Sequence, residues 1–217
     1  MLTALGISVG FLFFAPPIPQ LESYHAFAAG RAILGIPNFW NVVSNAPFAV
    51  VGVLGLRKSR DAASRMLFAG VLLTAFGSAY YHSKPNDARL VWDRLPMTLV
   101  FMSLLAMVTA EWIGPEWERR LLIPLTLYGI ASVLWWNLTG DLRPYAVAQY
   151  GPLLILLPAL RFVPKARVLA PVLALYVLAK LAESYDEAIY SVVPLSGHTL
   201  KHFAAALATA FVLRWRS

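Results

Sequence analysis

SGHTLKHFAAALATAFVLRW, residues 196–215, is the stretch on which the reading of the whole chain turns. Its middle is Phe, Ala, Leu and Val, and it closes on Arg-Trp with Arg216 following, as a helix does that crosses lipid and stops at a charged surface. Yet it begins with two histidines. His198 and His202 lie one turn apart, about 6 Å along a helix axis, and so share one face. Polar groups in a lipid-spanning helix are costly, and those that persist face the bundle interior or a site.

Similar apolar runs recur at roughly 2–15, 39–56, 66–82, 95–113, 121–138, 145–160 and 168–182. Several approach the ~17–25 residues that span a bilayer. The 217 residues are 59% hydrophobic and only 13% charged, whereas soluble domains carry about 25% charge. The pattern predicts an all-α fold: a polytopic transmembrane helix bundle with a seven-helix core plus an extra short N-terminal helix. Residues 1–217 read as a single integral membrane domain with no soluble module. The first run, LTALGISVGFLFFA, has the length of a signal peptide. However, no Lys or Arg precedes it, and Pro16-Pro17 stands where cleavage would fall, so residues 1–16 are expected to stay as a helix. Without cysteine there is no disulfide frame, thiol nucleophile or thiolate metal site.

A formal charge of +7 would suit nucleic acid, but its placement argues for topology. With a cytoplasmic N-terminus and every run crossing, loops 57–65, 114–120, 161–167 and the tail 214–217 fall on one side. That side holds eleven of the eighteen Lys and Arg, among them Arg57, Lys58, Arg161 and Lys165. With Asp61, Glu111, Glu116 and Glu118 it nets +7, and the other side, seven basic against seven acidic, nets zero. This is the positive-inside bias of a membrane protein, which puts the C-terminus in the cytoplasm. No nucleic-acid partner is expected.

Thr74, Ser78 and His82 recur every four residues in TAFGSAYYH and form a polar stripe that ends at the non-cytoplasmic side. In VWDRLPM, Asp93 is expected to open the next helix on that side, and His198 and His202 open the last one, with Ser196 as its N-cap. Three imidazoles from two helix ends match the ligand set of catalytic zinc, which keeps a fourth position for water. A histidine near the headgroups can equally be an interfacial polar residue, and Asp93 an N-cap. The residues alone leave both readings open. His25 reads as a loop residue. Asn41, Ser44 and Asn45 in FWNVVSN share a face and are expected to hydrogen-bond between helices. Lys180, Glu183, Asp186 and Glu187 read as snorkelling charges at the interface, with a rim around a site mouth as the other reading.

GSAYYH with Ser78 four residues before His82, DRLPM beginning eleven residues on at Asp93, and HTLKH with His198 and His202 together resemble the alkaline ceramidase family. That family lies within the seven-helix membrane hydrolases that include the adiponectin-receptor-like proteins. FWNVVSN resembles its first helix, so the likeness runs over about 38–215. PPIPQ and SGHTLKH look most like the bacterial-type branch, which carries an extra N-terminal helix. The resemblance implies zinc held by His82, His198 and His202, with Ser78 and Asp93 beside the water it activates. It implies cleavage of the amide of ceramide, or of another N-acyl lipid of the bilayer, to a sphingoid base or amine and a fatty acid. In a bacterium the protein would sit in the inner membrane. Calcium does not carry over: residues 17–38 offer only Glu22 and Asn38 as hard ligands, with Ala28 and Ala29 where acids would help. Asp93 is then the general base and Ser78 a donor to the developing oxyanion. The rival reading is a receptor-like seven-helix protein that keeps a zinc site without turnover.

Overall fold

The structure, a computed structural model, describes residues 2–216. Helix α1 spans Leu2–Phe14, and a short α2, Phe39–Val43, leads into α3, Ala46–Lys58. Next come α4, Ala62–Ser83, α5, Asp87–Ile113, α6, Glu116–Thr139, and α7, Arg143–Phe162. The order closes with α8, Ala170–Ser184, α9, Asp186–Tyr190, and α10, Gly197–Arg216. Among the described residues there is no strand, only an isolated bridge between Ile33 and Ile36. The all-α bundle expected from the apolar runs is the fold observed.

Five segments, 39–58 and helices α4 to α7, are each long and apolar enough to cross a membrane, which makes this a multi-pass membrane protein. Helix α10 has the length, 20 residues, but carries Lys201 near one end and Arg214 and Arg216 at the other. Helix α8 has 15 residues and continues a 3-10 segment, Pro164–Leu169. Phe76, Leu127 and Leu157 point outward, exposed, as lipid-facing side chains do. Inside, Leu67, Phe68, Met107, Leu156 and Leu169 are fully buried. In lipid such contacts act by close packing more than by exclusion of water.

Helix starts follow local capping. Asp61 accepts a hydrogen bond from the Ser64 amide at 2.8 Å and so caps α4. Asn86 does the same for α5, accepting from the Arg89 amide at 3.0 Å. Helix α5 therefore begins at Asp87, well before the apolar run at 95 announces it. Asp93 does not open the helix. It sits nearly two turns inside, and Asn86 supplies the cap, so the alternative reading of Asp93 as an N-cap falls as well.

Two close approaches set the site. Pro96 lacks an N–H, so the Trp92 carbonyl four residues earlier loses its helical donor. Gly77 on α4 packs onto that carbonyl: a Cβ there would lie 2.0 Å from the Trp92 oxygen. This contact places Ser78 and Asp93, the next residue on each helix, side by side. Gly197 likewise packs on the Ala182 carbonyl, where a Cβ would stand 2.0 Å away, and so seats the start of α10 against the end of α8. Ser196 caps α10, accepting from the Thr199 amide at 3.2 Å.

Candidate metal centre

His82 in the last turn of α4 and His198 and His202 in the first two turns of α10 converge in the bundle interior. Their ring centroids form a near-equilateral triangle, at 4.8, 4.9 and 4.9 Å. One nitrogen from each lies within 4.8 Å of the others, and all three residues are buried. Among the described residues this is the one group of three or more His, Cys, Asp or Glu so arranged.

The orientation of the rings suits a cation. Nε2 of His82 and Nε2 of His198 face each other at 3.2 Å. A tetrahedral zinc with Zn–N bonds of ~2.0–2.1 Å separates its nitrogen ligands by about 3.3 Å. The Ser44 hydroxyl engages Nδ1 of His202 at 2.7 Å, leaving Nε2 for the centre. That is the outer-shell contact that fixes a ligating imidazole's tautomer and orientation. The residues fit zinc.

Other contacts hold the cluster. Asp186 accepts from the His198 amide at 2.7 Å with one oxygen and from the Ala28 amide at 2.9 Å with the other. The segment before α2 is thereby tied over the site, and Phe27 packs on the rings of His82 and His198, 4.7 and 4.4 Å between centroids. Asn38, one of the two hard ligands in that segment, donates its amide to the His82 carbonyl at 2.8 Å. Asn41 accepts from the Thr199 hydroxyl at 2.9 Å. Asn41 and Ser44 thus bond between helices as expected, Ser44 directly to a histidine of the cluster, whereas Asn45 turns back onto the Asn41 and Val42 carbonyls of its own segment. His25 lies apart, in the 3-10 segment Glu22–His25, against the Tyr81 hydroxyl at 2.9 Å and Asp87 at 3.1 Å.

A cavity of about 570 Å³ runs beside the cluster, walled by His202, Ser78 and Asp93 near one end. From His202 to Val212 its wall follows α10 for ten residues, ~15 Å, among Leu67, Val71, Leu104 and Val172. Ser78 is buried and lies beside the Asp93 carboxyl.

Lys180 and Glu183 correct the interfacial reading. Both face the cavity, together with Lys201. Glu183 pairs with Lys201 at 2.6 Å through one oxygen and with Lys180 through the other. Asp186 also turns inward, onto the His198 amide, and of the four only Glu187 is exposed. The attraction of one buried carboxylate to two ammonium groups offsets the desolvation cost that keeps single charges at an interface. Sequence reasoning missed Lys201 and Arg94 altogether. The signal for Lys201 was its spacing, since positions 198, 201 and 202 share a helix face.

Residues 34–159, more than half of the chain, match the family model described as Ceramidase. The matched stretch contains Ser78, His82 and Asp93 and ends before His198 and His202. No curated protein matches the chain. The chain belongs to the Ceramidase family.

Proposed function

We propose that this family member is a zinc-dependent membrane hydrolase that cleaves the amide bond of ceramide or a related N-acyl lipid, releasing a sphingoid base or amine and a fatty acid. The observation that carries the reading is the meeting of three buried imidazoles with Asp93 and Ser78 beside one long apolar cavity. His82, His198 and His202 would hold the metal. When bound there, zinc supplies a water acidic enough to ionise near neutral pH and a Lewis acid for the amide carbonyl.

The chain's own residues do the rest. The wall along α10 takes the acyl chain and excludes water around the amide. Asp93 accepts the proton of the attacking water and returns it to the leaving nitrogen, which an amide needs because an amide anion is too basic to leave. Ser78, held beside Asp93, donates to the carbonyl oxygen as negative charge grows on it. Two sites of negative charge close together would oppose each other, and Lys201 beside Asp93 offsets this.

The orientation follows from charge. The Arg-rich C-terminal end of α10 lies at the pole opposite the histidines, where Arg216 reaches Asp61 at 3.1 Å and Glu118 at 3.0 Å. The positive-inside bias supports a cytoplasmic C-terminus and a zinc site near the other face, in the inner membrane if the source is bacterial. Ser217, the last residue, lies outside the described residues.

The test is metal analysis of purified protein together with hydrolysis of a panel of ceramides and other N-acyl amides. About one zinc per chain and release of fatty acid are expected. A zinc-loaded protein that cleaves no amide across the panel would replace this reading with a receptor-like protein whose zinc does not turn over substrate.

A further inference from the structure

Arg94 is 5% exposed, and buried arginines are almost always paired with an acid. None of the ion pairs among the described residues includes it. One terminal nitrogen donates to the Gln20 side-chain oxygen at 2.6 Å. The guanidinium stands over the rings of Trp136, Tyr145 and Tyr24, at 4.1, 4.7 and 5.6 Å. The other terminal nitrogen, Nη1, is buried without a hydrogen-bond partner.

The charges around it do not supply one. The cavity is lined by three cations, Arg94, Lys180 and Lys201, against two acids, Asp93 and Glu183. Glu183 is shared by both lysines, and Asp93 lies beside Ser78 with Lys201 and, less strongly, Arg94 as its neighbouring cations. Cations outnumber acids along the wall, and of the three only Arg94 makes no ion pair. The cavity also has a direction. Its apolar wall runs along α10 to Val212, whereas Arg94 lies with Gln20, Tyr24 and Tyr145 around the polar end. A lipid amide with its acyl chain on the apolar wall turns its amine half toward Arg94.

We propose that Arg94 and Gln20 form a subsite for an oxyanion, a carboxylate or a phosphate, carried on the amine half of the lipid amide. The direction of the lipid rests on the hydrolase reading above. The guanidinium fork matches either oxyanion, and the three rings hold it in place before the ligand arrives, so little ordering is lost on binding. The preferred substrate is then an acidic N-acyl lipid over one whose amine half carries hydroxyls alone.

The experiment uses uncleavable sulfonamide probes on the full zinc-loaded protein in detergent. The probes share one alkyl chain and differ at the amine half: hydroxyethyl, carboxymethyl or phosphoethyl. The wild type is expected to bind at least one acidic probe tenfold or more tighter than the hydroxyl probe, the size of a charge-assisted hydrogen bond. The tighter of the two acids identifies the oxyanion. Arg94→Gln should bring that ratio to within about twofold of one. If Arg94→Gln does not fold, Arg94→Lys carries the test, since loss of the fork should still cut the ratio several-fold. A wild-type ratio near one, or a ratio unchanged in both variants, overturns the subsite. The matching amides run alongside separate the two readings. Selective binding without cleavage keeps the subsite and removes the hydrolase, and cleavage without selectivity does the reverse.

Discussion

The two poles of the bundle handle buried charge in opposite ways. At the pole of the basic C-terminal end, Arg216 meets Asp61, Glu118 and the Ser64 hydroxyl at 3.0–3.2 Å. Ser64 in turn bonds the Asp61 carboxylate at 2.8 Å through both its amide and its hydroxyl. Every donor and acceptor named there has a protein partner. At the histidine pole the accounts stay open: buried nitrogens of Asn41, His82 and Arg94 have no partner, and two imidazole nitrogens face each other at 3.2 Å. A buried polar group without a partner costs about 1–3 kcal/mol. One pole is complete as a folded protein. The other keeps polar groups that the proposed zinc and lipid would complete.

The largest effect should come from the ligands. His82→Ala, His198→Ala or His202→Ala should each lose most of the zinc by metal analysis of purified protein, whereas His25→Ala should keep it. Zinc lost in His25→Ala and kept in His82→Ala would undo the assignment of the open pole.

Next comes the chemistry beside the metal. Asp93→Asn keeps shape and zinc but removes the proton acceptor, and the rate of lipid-amide hydrolysis should fall by roughly 10²–10⁴-fold. Full activity in that variant would end the base assignment. Ser78→Ala should cost about 10²–10³-fold in rate, again with zinc retained.

A smaller change tests the support of the ligands. Ser44→Ala removes the partner of His202 Nδ1 and should weaken zinc affinity by about 10–100-fold in a chelator competition. Affinity equal to wild type would mean that Ser44 only packs.

The closed pole should answer in stability alone. Arg216→Ala should cost on the order of 1–3 kcal/mol, between exposed and buried ion pairs, with zinc content unchanged in the same samples. Burial pushes the Asp61 carboxyl up, but the Ser64 amide and hydroxyl and the Arg216 guanidinium outweigh it and hold it below its usual range. A depressed carboxyl stabilises the fold above its unfolded value of roughly 4, and that contribution fades as pH falls through the lower folded value. The thermal midpoint of wild type should therefore drop below about pH 4 more steeply than that of Asp61→Asn. Parallel curves would show that the clasp is not ionic.

Much of this was legible before any fold. Apolar length and charge are local properties that add along the chain, so LTALGISVGFLFFA, FAAALATAFVL and the runs between them announce helices wherever they lie. The asymmetry of Lys and Arg separates the two poles by the same local count. Helical spacing also set Ser78 with His82 and His198 with His202, because neighbours one turn apart share a face in any helix. What the tertiary structure alone decided is which faces meet. His82 and His198 are 116 residues apart, and nothing local rotates α4 toward α10. Asp93 stands beside Ser78 because Gly77 admits the Trp92 carbonyl that Pro96 leaves free, a fit between two helices. Lys180 and Glu183 turn inward only because Lys201 comes within 2.6 Å from another helix, and Arg94 stands unpaired only because no acid does. A charge's partner is set by the packing of distant segments, and for that reason the chemistry of the cavity wall became readable only in three dimensions.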